Sequence, residues 1–274
     1  MKKKAFYNGK IVDEENIMIS PRDIGFLRGY GVFDVMITEN RKPFLLKEHF
    51  ERLKNSAKEL KIELPFDVAR YRNIVEKMVK INAFRKSVIR TVITGGVSAD
   101  AFSPGKITSL IMIEKSKPLP KKIYETGAKL ITLDYQRECP LAKITNYVEA
   151  IKNQPLKKKK KAIEILYIKE GKVLEASTSN FFIVKNRSLI TAGEGVLSGI
   201  TRNLVIKLAA GKYPVEKRDI KISELWNAEE AFITASNKKI VPIVQIDGRK
   251  IGKGNVGDVA KVMMKTFEMY SRSY

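Results

Sequence analysis

The stretch LAKITNYVEA (141–150) carries Lys143, and 32 residues later GKVLEASTSNFFIV (171–184) carries Glu175 at the end of an apolar, strand-length run. A lysine amine condenses with an aldehyde, and a carboxylate beside a pyridine nitrogen keeps that nitrogen protonated. Pyridoxal phosphate chemistry requires both groups. A third stretch, VLSGITRNLVIKLA (196–209), puts Ser198, Gly199 and Thr201 at the opening of an amphipathic helix. Unpaired N–H groups at such a helix start hold phosphate.

Further pieces stand in one order around these. R-G-Y-G-V-F-D (28–34) and E-H-F-E-R-L-K-N-S-A (48–57) precede K-x-x-N-Y (143–147), then come L-E-A-S-T-S-N-F-F (174–182), G-I-T-R (199–202) and E-A-F-I-T-A-S (230–236). In this order they resemble the class IV aminotransferases over almost the whole chain. These are the fold-type IV pyridoxal phosphate enzymes, which include branched-chain and D-amino-acid aminotransferases and aminodeoxychorismate lyase. The resemblance implies an α+β fold of two domains: a small N-terminal α/β sandwich-like domain (1–117) and a larger C-terminal barrel-like domain (118–274), with the cofactor held between them. It also implies a homodimer, because members of the family complete each active site with a loop from the neighbouring subunit.

The residue patterns lead to the same division. Asn8-Gly9 between apolar flanks signals a two-residue hairpin turn. Phe50, Leu53, Ala57 and Leu60 form one helical stripe, and Val68, Tyr71, Val75, Met78 and Val79 another. Strands are expected over 87–94 and 107–113, and EKSKPLPKK (114–122), polar with two prolines, reads as a linker. Beyond it, strands are expected over 128–134, 162–168 and 181–184, with helices near 145–156, 200–210 and 256–270.

Composition narrows the function classes. The chain of 274 residues is 44% hydrophobic, ordinary for a globular protein, and no apolar run approaches the ~18 residues of a membrane helix. The basic start MKKKAFYNGK has no apolar stretch behind it, so a cytoplasmic address is expected. One cysteine, Cys139, cannot form an internal disulfide and reads as an apolar filler; one histidine, His49, rules out multi-histidine metal sites. The net charge of +22 invites a nucleic-acid reading. The lysines are spread along the chain, however, and the one dense run, Lys157 to Lys161, reads as a solvated loop. No specific nucleic-acid partner is expected.

The resemblance assigns roles residue by residue. Lys143 matches the Schiff-base lysine, and Tyr147 reaches the lysine or the cofactor's 3′-oxygen. Glu175 partners the pyridine nitrogen, with Ser179 and Asn180 in the same cofactor-binding stretch. Ile200, Thr201, Ser236 and Arg52 hold the phosphate, Thr234 and Ala235 being alternatives to Ser236. Arg28, Phe33 and Thr178 face the substrate. The positions that align with the carboxylate-binding arginine and histidine of D-amino-acid aminotransferases hold Ala99 and Ala101, so Arg28 is the substitute, its guanidinium being suited to bidentate carboxylate binding.

The expected function is amino transfer between an amino acid and a 2-oxo acid with pyridoxal 5′-phosphate as cofactor. RGYGVFD favours D-amino acids. Aminodeoxychorismate lyase activity and branched-chain L-amino-acid transfer are the alternatives, and a nucleic-acid-binding protein on a degenerate scaffold is disfavoured by the complete set of motifs.

Overall fold

The computed structural model describes residues 2–274. Its contacts gather into two compact units. The first takes residues up to Lys117, together with Ala142–Tyr147 and Tyr274; the second takes Pro118–Leu141 and Val148–Ser273.

The first unit contains β1 (Lys4–Tyr7), β2 (Lys10–Asp13), α1 (Ile24–Arg28), β3 (Gly31–Glu39), β4 (Lys42–Pro43), α2 (Leu46–Glu59), α3 (Val68–Asn82), β5 (Ser87–Val97) and β6 (Lys106–Lys115). The strands form one antiparallel sheet in the order β2-β1-β6-β5-β3-β4. Asn8 and Gly9 have φ of 45° and 90°, the doubly positive turn that matches strand twist, and the hairpin closes there as expected. Helices α2 and α3 present the two expected stripes. Phe50, Leu53, Ala57, Tyr71, Val75 and Met78 are buried with Val32, Met36, Ile89, Ile93 and Ile111 of the sheet. Each large apolar side chain among them contributes about 1.5–3 kcal/mol by leaving water. Asp67 caps α3 by accepting from Arg70 N at 2.8 Å.

The second unit contains α4 (Lys121–Thr126), β7 (Ala128–Asp134), α5 (Val148–Lys152), α6 (Gln154–Lys159), β8 (Glu164–Lys169), β9 (Lys172–Ala176), β10 (Asn180–Lys185), β11 (Ser188–Thr191), α7 (Ile200–Ala209), β12 (Val215–Lys217), β13 (Ile220–Lys221), α8 (Ile222–Trp226), β14 (Glu230–Ala235), β15 (Lys239–Ile246), β16 (Arg249–Lys250) and α9 (Asp258–Ser273). Its ten-stranded sheet, curled as a half-barrel, runs β12-β11-β10-β14-β15-β7-β8-β9-β13, with β16 beside β15. Pairing is parallel at β7–β8, β15–β7 and β11–β12.

Around Lys143 the local structure departs from expectation. The single helix expected near 145–156 is two short helices, α5 and α6, and it begins after the lysine's segment. Pro155 lies in the first turn of α6. There its missing N–H costs nothing, whereas in the interior of one continuous helix it would break the ladder. Ala142–Tyr147 is an irregular segment instead, pinned to β3: Phe33 N donates to Lys143 O and Thr145 N to Gly31 O, each at 2.9 Å, and Ile144 bridges Val32.

Candidate active site

In the first unit these backbone bonds fix Lys143. Its own N–H donates to Ser56 Oγ at 3.0 Å, and Ser56 Oγ donates to the carbonyl of Arg52 at 2.8 Å. One turn of α2 therefore holds both the lysine and the arginine of the expected set. The Lys143 Nζ lies 4.4 Å from the centre of the Phe33 ring and 3.5 Å from Tyr147 OH. Phe33 and Tyr147 meet edge to face with ring centres 5.5 Å apart. Three expected site residues, Lys143, Tyr147 and Phe33, thus stand together, and Arg52 is tied to them through Ser56.

Beneath Arg52 lies a carboxylate that the sequence reading missed. Asp34 is fully buried; its Oδ2 accepts from Arg52 Nε at 2.8 Å, and its Oδ1 accepts from Arg52 Nη2 at 3.0 Å and from His49 Nδ1 at 2.5 Å. The signal was present as one acid among the apolar residues of VFDVMI (32–37), on the same face as buried Val32 and Met36. Burial raises the pKa of Asp34, but Arg52 and His49 outweigh it and hold the carboxyl well below the usual range. Burial also lowers the pKa of His49, by more than Asp34 raises it, so the imidazole stays neutral.

Both shifts have the same sign for stability. As pH falls through about 6.5 the unfolded His49 takes up a proton that the folded one refuses, and near about 4 the unfolded Asp34 does the same. The unfolded chain binds more protons at both stages, so stability declines on acidification, first below about pH 6.5 and again below about 4. Denaturant midpoints measured from pH 8 to 3 check this. His49→Gln is expected to remove the first stage and leave the second.

In the second unit Glu175 lies within β9, buried, and is not an exposed turn residue. Its Oε1 accepts from Arg137 Nε at 2.9 Å and Nη2 at 2.7 Å; its Oε2 accepts from Asn180 Nδ2 at 3.2 Å and Leu197 N at 3.1 Å. A carboxyl that takes an arginine on one oxygen and amide N–H groups on the other is placed as a carboxylate acceptor. Arg137, equally buried, is a residue that sequence reasoning missed, since YQRECP carries no periodicity or motif that marks it. Asn180 also donates to Leu197 O at 2.8 Å, which ties Glu175 to the start of α7.

That start is backbone only. Gly199 is the N-cap and no side chain caps it, leaving the N–H groups of the first turn, including buried Ile200 and Thr201, without intrahelical partners. A Cβ on Gly199 would meet Asn180 Oδ1 at 1.8 Å; glycine is what lets α7 approach this asparagine. Arg202, quoted within GITR but given no role, is buried and donates to Thr191 Oγ1 at 3.2 Å and Ala192 O at 2.6 Å. Ser236 is half-buried in the turn after β14. Two residues earlier, Thr234 Oγ1 is buried with no hydrogen-bond partner among the described residues.

Thr178 and Ser179 are drawn into another group. Buried Glu164 accepts from Lys238 Nζ, Ser179 Oγ and Thr178 N, the last at 2.7 Å, and Lys238 Nζ also donates to Thr178 Oγ1 at 2.6 Å. Burial raises the pKa of Glu164, yet Lys238 and these hydrogen bonds bring it below the ordinary value. Arg28, in the first unit, is exposed at the end of α1. Its Nε donates to Ala101 O at 3.3 Å and its guanidinium lies 4.7 Å over Phe102, so it is placed on the 98–103 loop.

The sequence pattern of the amino-transferase class IV family matches residues 31–246. The chain belongs to the class IV aminotransferases. This class IV aminotransferase is 33% identical to a putative branched-chain-amino-acid aminotransferase of Methanocaldococcus jannaschii, over 97% of this chain and 95% of that one. It is 27% identical to a D-alanine aminotransferase of Staphylococcus haemolyticus, over 98% of each. Among solved structures, a branched-chain aminotransferase from the archaeon Thermoproteus uzoniensis with norvaline matches it with a TM-score of 0.90 and 26% identity, covering 100% of this chain and 96% of that one. The family is pyridoxal phosphate-dependent, and the groups present in this class IV aminotransferase suit that cofactor. They include an amine beside a phenol, a buried carboxylate, an uncapped helix start and a buried hydroxyl lacking a partner among the described residues.

Proposed function

We propose that this enzyme moves an amino group between an apolar amino acid and a 2-oxo acid with pyridoxal 5′-phosphate as cofactor. The observation that carries the reading is the Lys143 amine, held by backbone bonds to β3 and Ser56 with its Nζ beside Tyr147 and over Phe33. When bound, the cofactor supplies an aldehyde for the amino group and a ring that accepts the electron pair left when the Cα proton departs. Lys143 would hold the cofactor covalently through its amine, and that amine would serve as the base for the Cα proton. Tyr147 OH fixes the direction of that amine. Glu175 would face the ring nitrogen and favour its protonated form, and Arg137 and Asn180 orient the carboxylate for it. The N–H groups of Ile200 and Thr201, the hydroxyl of Ser236 or Thr234 and the guanidinium of Arg52 take the phosphate.

The Phe33 ring beside the lysine makes an apolar wall, which suits alanine-like and branched side chains alike. D-amino acids are the first reading, from RGYGVFD and the D-alanine aminotransferase relatives. L-branched-chain amino acids are the second, favoured by the 33% identical relative. Thr178 and Arg28 are the proposed substrate contacts. A homodimer is proposed as well, because Met18, Ile19, Phe26 and Phe102 expose large apolar side chains; light scattering at twice the 31.1 kDa chain mass checks it.

A half-reaction tests the function. Holoenzyme is mixed separately with the D and L forms of alanine, leucine and glutamate, and the loss of visible cofactor absorbance is followed. Conversion by one series establishes transfer and its stereochemistry. An enzyme that keeps its absorbance with every amino acid, yet releases pyruvate from aminodeoxychorismate, would replace transfer by the lyase reaction.

A further inference from the structure

Strand β3 turns Val32, Asp34 and Met36 towards the buried side of the first sheet. Two are core hydrophobics, and the third is a carboxylate with no exposed side-chain surface. Burying an unpaired carboxylate costs several kcal/mol, and a well-packed apolar residue would be the cheaper occupant. What Asp34 does in return is visible in its partners. His49 and Arg52 lie three residues apart on α2 and so share one face, and the Asp34 carboxylate binds both. The bidentate contact occupies Nε and Nη2 of Arg52 and fixes the guanidinium plane. Nη1 has no hydrogen bond among the described residues, and the side chain keeps about a tenth of its surface exposed.

We propose that Asp34 is a positioning residue for anion recognition: it presents Arg52, with one edge already held, to the phosphate of the cofactor. The inference rests on the proposed role of Arg52 and goes beyond it, since it assigns the readiness of that arginine to a buried acid. An arginine loses considerable rotamer freedom when it grips an anion, and a partner that has already fixed the fork removes that cost before the ligand arrives. His49, neutral and donating through Nδ1, completes the carboxylate's hydrogen bonding and adds no charge.

The test compares two ligands on apoenzyme prepared from holoenzyme: pyridoxal 5′-phosphate and pyridoxal, which lacks the phosphate. The dissociation constant of pyridoxal divided by that of pyridoxal phosphate reports phosphate recognition alone. Asp34→Asn is expected to weaken pyridoxal phosphate binding about 10- to 100-fold, the range for removal of a group that orients a direct ligand, while pyridoxal binding stays within about twofold. In an Arg52→Ala background the same substitution is expected to have no further effect on the ratio, because the two residues act as one unit. Should Asp34→Asn not fold, Asp34→Glu serves instead: its longer side chain keeps the charge but displaces the guanidinium, and the ratio is expected to fall while pyridoxal binding holds. Equal weakening of both ligands, an unchanged ratio, or an effect that simply adds to that of Arg52→Ala would overturn the role of Asp34. A ratio that Arg52→Ala leaves unchanged would instead remove Arg52 from the phosphate, and wild-type protein that binds neither ligand would remove the cofactor.

Discussion

Lys143→Ala is expected to abolish both the visible absorbance of the bound cofactor and amino transfer, the latter by about 10⁴-fold or more, because it removes the proposed covalent catalytic group. The reason the effect is confined to chemistry lies in how the segment is held. Phe33 N and Ser56 Oγ bond the main chain of residue 143, and Thr145 N bonds Gly31 O. Alanine keeps all of these, so the thermal midpoint is expected to stay close to that of the wild type. Purified variant protein, scanned from the ultraviolet to the visible and then assayed, checks both halves. Retained absorbance would move the anchoring lysine elsewhere among the many in this chain.

Glu175→Gln is expected to damage stability and activity together. The carboxylate accepts four hydrogen bonds from Arg137, Asn180 and Leu197, and an amide must turn its NH₂ towards one set of donors. It also leaves the buried Arg137 guanidinium without its counter-charge, and breaking such a pair by changing one partner costs about 3–5 kcal/mol. A second variant separates the two effects. Replacing both residues with apolar ones of similar volume, Arg137→Met with Glu175→Leu, is expected to recover much of the lost stability, since the desolvation penalty goes with the pair. It is not expected to recover activity, because no acid then faces the ring nitrogen. Denaturant midpoints and turnover measured on both variants decide the matter; a double variant that transfers amino groups would take Glu175 out of the chemistry.

Much of the fold was legible because it depends on local rules. The Asn8-Gly9 turn, the stripes of α2 and α3, the strands from Ser87 to Lys115 and the helix opened by Gly199 each follow from periodicity or from a residue with one preferred backbone state. The helix after Lys143 was misread because the apolar spacing of 144–151 suits a helix. The hydrogen bonds offered by β3, a strand far back in the chain, outbid that preference, and Pro155 divided what remained.

The proposed functional residues divide along the same line. Lys143, Glu175 and Ile200-Thr201 could be proposed because amine, carboxylate and free helix N–H are chemistries that a residue type or a helix start carries by itself; Arg52 was marked only by its match to the family motif. Their partners could not be proposed in this way. Nothing local in YQRECP says that Arg137 will pair with Glu175, nor does VFDVMI show that Asp34 will meet His49 and Arg52. A buried charge takes its meaning from whatever lies opposite, and long-range folding chooses the opposite residue. By itself the sequence determined which chemical groups the enzyme has and several of its most regular strands and helices; only the tertiary structure decided which groups are paired and held in place, because desolvation and hydrogen bonding act between residues far apart in the chain.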